Sequence, residues 1–214
     1  MTTAQSVTPK LETTGLVLHW AAPYDLLVWL VMRGKEQAFR EKLIHLARLE
    51  PGEQVLDVGC GTGTLAIAAK QCVGATGTVC GVDASSEMIA RARKKSAKAS
   101  AQVEFSEGVV EALPYPDNHF DVVLSTLMLH HLGTKARREC ASEVRRVLQP
   151  GGRWFVVDFE GSAKQAGGIL SRFKRHGHIK PGDLNDLIKE AGFNRVDDGP
   201  VGFRNLQFVL ATMS

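Results

Sequence analysis

Val55-Leu56-Asp57-Val58-Gly59-Cys60-Gly61-Thr62-Gly63 is the stretch on which the reading of this chain turns. Its first four residues are apolar except for Asp57, the pattern of a strand buried on both faces. Three glycines at alternate positions follow, where a backbone turns tightly and approaches a ligand more closely than a Cβ would allow. Residues 64–70 then predict a helix, whose first N–H groups lack partners within the helix and are offered to an anion.

Outward from this turn the pattern alternates. Residues 78–82, 103–105, 120–125 and 154–159 read as strands, and 85–98 and 135–148 as helices. Strands apolar throughout, alternating with helices, predict a mostly parallel sheet covered on both faces. Pro181 to Ala191 predicts a helix with Pro181 in its first turn. Residues 195–196 and 206–211 supply two closing strands, seven in all. Leu148-Gln149-Pro150-Gly151-Gly152 reads as the turn from a helix into the fifth strand. Upstream, residues 23–48 hold two helical patterns broken at Gly34, and Pro51-Gly52 closes that region. The organisation expected is a flexible tail (1–15), a helical cap or lid (16–50) and one Rossmann-like α/β domain (51–214). Within that domain, residues 161–180 form a variable insertion.

Composition narrows the possibilities further. The 214 residues are 44% hydrophobic and 23% charged, enough for one domain with a sizeable core. A net charge of +3 is too weak to argue for nucleic acid, and none is expected as a partner. Much of the excess is local, since Lys164, Arg172, Lys174, Arg175 and Lys180 stand against Glu160 alone between residues 160 and 180. Cys60, Cys72, Cys80 and Cys140 form no Cys-x-x-Cys pair, and no histidine lies at finger spacing, so neither a structural zinc nor a disulfide framework is expected. The first 15 residues lack the layout of a secretion signal. Residues 26–32, the longest apolar run, are too few to span a bilayer. A cytoplasmic protein is expected, of undetermined oligomeric state.

Two ligands compete for the glycine turn. Gly61-x-Gly63-x-x-Ala66 meets the dinucleotide fingerprint, with Asp83 downstream at a strand end. The other candidate, S-adenosylmethionine, has a carboxylate, an ammonium and a ribose diol but no pyrophosphate. Asp57 discriminates between them. An acid inside the strand, ahead of the glycines, faces an ammonium well and repels a pyrophosphate.

Several separate motifs then line up in order: Val55–Gly63, Val79-Cys80-Gly81-Val82-Asp83, Glu111-Ala112-Leu113-Pro114-Tyr115-Pro116-Asp117, Phe120-Asp121-Val122-Val123 and Leu148-x-Pro150-Gly151-Gly152. Over residues 20–160 the chain resembles the class I S-adenosylmethionine-dependent methyltransferases, in the branch of the quinone-biosynthesis (UbiE-like) enzymes. The resemblance implies that Asp57, Gly59, Cys60, Gly61 and Gly63 surround the cofactor. It implies that Asp83 holds the ribose hydroxyls, since a carboxylate accepts from both at once. Ala84 and Met88 would pack near the adenine, and Ser125 would lie near the methionine end. The family commonly has an acid after the glycine of the third-strand loop. Here Val109, followed by Val110, stands there, and Glu107 or a backbone carbonyl would have to substitute.

Methyl transfer is an in-line displacement at a sulfonium carbon, so a dry, well-oriented pocket supplies most of the acceleration. The acceptor belongs where the fourth strand ends, at Ser125-Thr126-Leu127-Met128-Leu129-His130-His131-Leu132. The Asn/Asp-Pro-Pro-Tyr box typical of amino-group methylases is absent, and Thr126, Leu127 and Met128 give an apolar wall instead. His130 and His131 are candidates for a base, His130 first; the plainer reading packs one of them at the start of the next helix. Trp20 and Tyr24 would belong to a lid. Arg172 and His176, in the basic insertion, would face an anionic acceptor or an anionic membrane surface. A small, apolar or lipid-like acceptor is the expectation. Transfer to RNA or protein, a silent cofactor-binding regulator and a nicotinamide dehydrogenase are the alternatives.

Overall fold

A computed structural model of the chain describes residues 35–159, 182–203 and 205–213. In chain order its elements are α1 (Glu36–Leu46), β1 (Gln54–Val58), α2 (Thr64–Val73), β2 (Thr78–Asp83), α3 (Ser86–Lys98), β3 (Glu104–Glu107), β4 (Phe120–Thr126), a short 3-10 turn (Leu129–His131), α4 (Thr134–Val147), β5 (Leu148–Phe159), α5 (Asp183–Glu190), β6 (Phe193–Pro200) and β7 (Leu206–Met213). The seven strands form one sheet in the order β3-β2-β1-β4-β5-β7-β6. β1 runs parallel to β2 and β4, β2 to β3, and β4 to β5. β7 is antiparallel to both β5 and β6. The sheet is therefore mixed. Only a short connection joins β6 to β7, and a parallel crossover needs a dozen residues or more.

Winding begins at β1, runs outward to β3, then returns to the centre at β4. That reversal opens a crevice beyond the carboxyl ends of β1 and β4, the place where open α/β sheets bind ligands. Alternation along the strands divides the core into two layers. Leu56, Val58, Val123, Trp154 and Val156 pack towards α4 and α5. Val55, Val122, Leu124, Phe155 and Val157 pack towards α1, α2 and α3.

One expectation needs correcting. Leu148 to Gly152 does not simply turn into the fifth strand, because Leu148 already pairs with Phe120 and β5 begins there. A register shift between Phe120 and Val122 absorbs the extra residues, with Gly151 in the left-handed region at φ 79°. The expected N-terminal cap is represented among the described residues by α1 alone. It is a core helix on one face of the sheet, burying Phe39 and Leu43, with Phe39 edge-on to Phe203 at 5.1 Å. Its end is pinned by Arg153, which donates to Ala47 O at 2.9 Å and pairs with Glu53. Trp20, Tyr24, Arg172 and His176, with the tail and the insertion, lie outside the described residues. Among the described residues no helix is long and apolar enough to cross a membrane.

The loop between β3 and β4 borders the crevice and is held by one side chain. Arg146 of α4 donates to Leu113 O at 3.0 Å and Tyr115 O at 2.7 Å, and pairs with Asp117 and Glu143. Glu143 in turn accepts from Leu113 N at 2.8 Å. Replacing Arg146 with Ala strands these carbonyls and should cost roughly 1–3 kcal/mol, read as a lower urea midpoint at unchanged slope. A midpoint equal to wild type would show that the loop holds itself.

Candidate cofactor and acceptor site

Four strand ends meet at the crevice and each brings a polar residue: Asp57 on β1, Asp83 on β2, Ser125 and Thr126 on β4, and Asp158 on β5. The glycine turn above β1 is fastened to β2, since Gly59 N and Cys60 N both donate to Val82 O, at 2.8 and 3.0 Å. Gly59, Gly61 and Gly63 all have positive φ, at 71°, 52° and 75°. Their surroundings differ. A Cβ on Gly59 would meet Met128 at 2.8 Å, and one on Gly63 would meet Phe105 at 2.6 Å and Ala92 at 2.8 Å. One on Gly61 would meet nothing within 4 Å. Gly61 is thus the glycine that faces open space, while the outer two make room for packing.

Asp83 organises this turn. Its Oδ2 accepts from Gly61 N at 2.8 Å and its Oδ1 from Ser85 N at 2.9 Å. Ser85 is the N-cap of α3, accepting from Met88 N at 3.3 Å. Asp83 thus braces the start of α3 from outside, without being its N-cap, and both of its oxygens keep lone pairs for a further donor. Burial raises its pKa above the ordinary carboxylate value, against the pull of these two N–H groups. On neighbouring β1, Asp57 is 2% exposed and its Oδ2 has no hydrogen-bond partner. Burial first, then the charge of Asp83, raise its pKa to about 7, opposed by the Ala66 N–H. The same burial and both acids push the Cys60 thiol upward, so it stays protonated.

A second orphan lies close in the fold. Thr126 Oγ1 is buried without a partner, on the strand beside β1 and on the same face as Asp57, since Asp57 pairs with Leu124 two residues before it. Buried polar atoms are nearly always satisfied, so two such orphans at one sheet edge mark the place of a polar ligand. The character of that ligand follows from the charges. Two carboxylates flank the turn, and the Gly61 N–H that would cradle a phosphate is already taken by Asp83. The site suits a cation and a diol and repels a pyrophosphate, which disfavours the dinucleotide alternative.

The remaining sequence candidates divide. Ala84 is half-buried and Met88 buried at the start of α3, close to Asp83 in sequence. Val109 and Val110 are both buried, and Val110 belongs to the core layer on the α4 side. Glu107 is exposed. Ser125 is 1% exposed and its hydroxyl accepts from Trp154 Nε1 at 3.0 Å, so it braces the core beneath the crevice. Leu127 follows at φ 56°, a conformation that strains a branched side chain, held by its N–H donating to Val157 O at 2.8 Å. This bend sends Met128 against Gly59 and starts the 3-10 turn that carries both histidines.

His130 and His131 lie against each other with ring centres 3.9 Å apart and planes tilted by 44°. His131 has its pKa lowered to about 4 by burial and by its neighbour, and stays neutral. His130 Nδ1 lies 2.8 Å from Asp158 Oδ1, and its backbone N–H donates to Asp158 Oδ2 at 3.0 Å. Asp158 and Arg137 are the residues that sequence reading missed. Arg137 is 8% exposed and donates from Nε to Leu129 O at 2.9 Å, steadying the turn from α4. One signal was available, a lone acid at the end of the apolar run Trp154–Phe159, in the same relation to β5 as Asp57 is to β1. Among the described residues no group of three His, Cys, Asp or Glu is arranged to hold a metal ion.

Comparison with known proteins agrees with this geometry. Residues 55–152 match the family described as a methyltransferase domain. The ubiquinone/menaquinone biosynthesis C-methyltransferase UbiE of Ectopseudomonas mendocina is 35% identical over 70% of this chain and 59% of its own length. The chain thus spans about three fifths of that curated relative. Among solved structures, a SAM-dependent methyltransferase from Aquifex aeolicus superposes with a TM-score of 0.71 at 23% identity, covering 82% of this chain and 89% of its own. A protein from Bacillus halodurans described as a putative methyltransferase is 27% identical with a TM-score of 0.65, covering 75% and 71%. The motifs at the strand ends, the doubly wound sheet and these likenesses converge: residues 55–152 match a methyltransferase domain, and the chain is similar to the S-adenosylmethionine-dependent methyltransferases, UbiE among them.

Proposed function

We propose that this protein transfers the methyl group of S-adenosylmethionine to a small, apolar or lipid-like aromatic acceptor. The observation that carries the cofactor assignment is the orphaned, buried Asp57 Oδ2 at the end of β1, together with the open space at Gly61 in the turn that follows. When bound, S-adenosylmethionine supplies a methyl carbon on a positively charged sulfur. Asp57 would face its ammonium, and Asp83 would accept from the ribose hydroxyls. Ala84 and Met88 would line the adenine with Val109 and Val110, and the turn from Gly59 through Cys60 to Gly63 would follow the methionine end towards Ser125. Thr126 and Met128 would border the acceptor, with His130 as its base. The Asn/Asp-Pro-Pro-Tyr box typical of amino-group methylases does not stand after β4, and the relatives named as ubiquinone/menaquinone biosynthesis C-methyltransferases favour a ring over an amino group. The setting proposed is the cytoplasm, with the basic stretch between 160 and 180 meeting an anionic acceptor or membrane surface.

Methyl-labelled S-adenosylmethionine, incubated with polar, lipid, protein and nucleic-acid fractions of a cell extract and with a short-chain isoprenoid hydroquinone, tests this reading. Label in the lipid fraction or on the hydroquinone supports it. Label in protein or nucleic acid moves the acceptor to a macromolecule, and tight cofactor binding with no label anywhere points to a regulator. The ribose assignment has its own test. Asp83→Ala should weaken S-adenosylmethionine binding at least tenfold by calorimetry, because it removes an ionised acceptor and frees the Gly61 N–H. Unchanged affinity would mean that the ribose lies elsewhere.

A further inference from the structure

We infer that Asp158 is a positioning residue that makes His130 the proton acceptor of the transfer step; this rests on the function proposed above. Asp158 is 3% exposed at the end of β5, and its two oxygens grip His130 twice, at the ring Nδ1 and at the backbone N–H. Its Oδ1 also accepts from Phe159 N at 2.8 Å, so the carboxylate itself cannot swing away. A carboxylate accepts and does not donate, so the neutral imidazole must carry its proton on Nδ1. Nε2 is then left as a bare lone pair, and no hydrogen bond to it occurs among the described residues. The ring is steadied on its other sides by His131 at 3.9 Å and by the edge of Phe159 at 5.4 Å. Arg137 holds the turn from below through Leu129 O.

This is the arrangement by which a carboxylate fixes the tautomer of a base and stabilises the imidazolium formed when it takes a proton. His131, one residue on, cannot replace it, because burial keeps that ring from charging. Position supports the assignment as well. Asp57 and Thr126 face the α2 side of the sheet edge, whereas Asp158 lies in register with Trp154 and Val156 on the α4 side. The crevice thus has a cofactor flank and a proton flank. In the step, an electron pair of the acceptor forms the bond to the methyl carbon while the carbon–sulfur bond breaks with its pair going to sulfur. The acceptor's proton passes to His130 Nε2, and the resulting imidazolium is held by the Asp158 carboxylate.

The test combines transfer rates on the hydroquinone or labelled fraction with nitrogen-15 histidine spectra of the free enzyme. Expected in wild type is an Nδ1-protonated neutral ring at His130. His130→Ala and Asp158→Asn should each lower kcat a hundredfold or more at unchanged cofactor affinity. The double variant should be no slower than the worse single one, as for residues acting as a unit. Asp158→Glu should recover part of the rate, which a purely structural role in packing a shorter side chain would not allow. An Nε2-protonated ring in wild type overturns the inference without any rate measurement. So does a rate for Asp158→Asn within a few-fold of wild type. If wild type transfers no methyl to any acceptor, the proposed function fails and His130 has no such step to serve, while the spectra still show whether Asp158 sets the tautomer.

Discussion

Lowering the pH from 8 to 6 should weaken S-adenosylmethionine binding by up to about tenfold per unit below pH 7, and Asp57→Asn should abolish that dependence. The Asp57 carboxyl has a pKa of about 7 in the free protein, because burial and the facing Asp83 charge penalise ionisation more than the Ala66 N–H favours it. A cationic ligand group beside the orphaned Oδ2 reverses that balance and favours the carboxylate. Below pH 7 the ligand must therefore expel a proton to bind. Asp83 and the Cys60 thiol face the same site and are both shifted upward, so the Asp57 variant is what isolates the proton in question. At pH 8 the variant should bind 10- to 100-fold more weakly, since it loses a charge-assisted contact. Calorimetry in two buffers of different ionisation enthalpy counts the protons released at pH 6. Equal release by wild type and Asp57→Asn would remove Asp57 from the ligand's surroundings.

The same proton has a consequence for stability with a definite sign. The carboxyl binds its proton more tightly in the folded chain, at a pKa of about 7, than in the unfolded one, at 3.8. Its contribution is fully present below pH 4 and is lost as the pH rises through 7. Buried His131, whose pKa is lowered to about 4, shifts stability the opposite way below its ordinary value of 6.5, so the Asp57 contribution is read as a difference. Relative to Asp57→Asn, the ligand-free wild type should lose melting temperature progressively from pH 5 to pH 7, and added S-adenosylmethionine should oppose that loss at the upper end. A wild-type profile parallel to that of Asp57→Asn would mean that Asp57 ionises freely.

How far the sequence could have shown this edge depends on which residues interrupt a pattern. Asp57 and Asp83 stood out because each is a lone acid at the end of an apolar strand next to glycines, and the fold places both at the crevice. The five parallel strands were legible for a similar reason, as apolar runs spaced by helical stretches. β6 was legible only as a fragment around residue 195, because Phe193–Pro200 is largely polar and mostly exposed on the outer edge of the sheet. Asp158 was passed over because its importance lies in a contact across 28 residues with His130, which no local spacing encodes. The glycines were read as one device. Their separate tasks depend on Met128, Phe105 and Ala92, which arrive from β4's end, β3 and α3.

Gly61→Ala and Gly63→Ala should therefore fail in opposite ways. At Gly63 a methyl group would sit 2.6 Å from Phe105 and 2.8 Å from Ala92, in a backbone conformation at φ 75° that L-residues avoid. Overpacking and backbone strain together should cost roughly 2–5 kcal/mol, lowering Tm by about 5–15 °C. At Gly61 the new methyl meets nothing within 4 Å, so only the strain at φ 52° remains, about 1 kcal/mol and a few degrees. Yet that open space is where the ligand approaches the backbone, so Gly61→Ala should lose at least tenfold in cofactor affinity while staying folded. Calorimetric affinity and Tm measured on both variants separate the two roles. If Gly61→Ala binds as wild type does, the ligand does not approach the turn from that side, and the orphaned Asp57 Oδ2 and Thr126 Oγ1 must be served by some other group. If Gly63→Ala melts with wild type, then Phe105 can rotate away, and the third glycine is dispensable to the packing of β3 against α3.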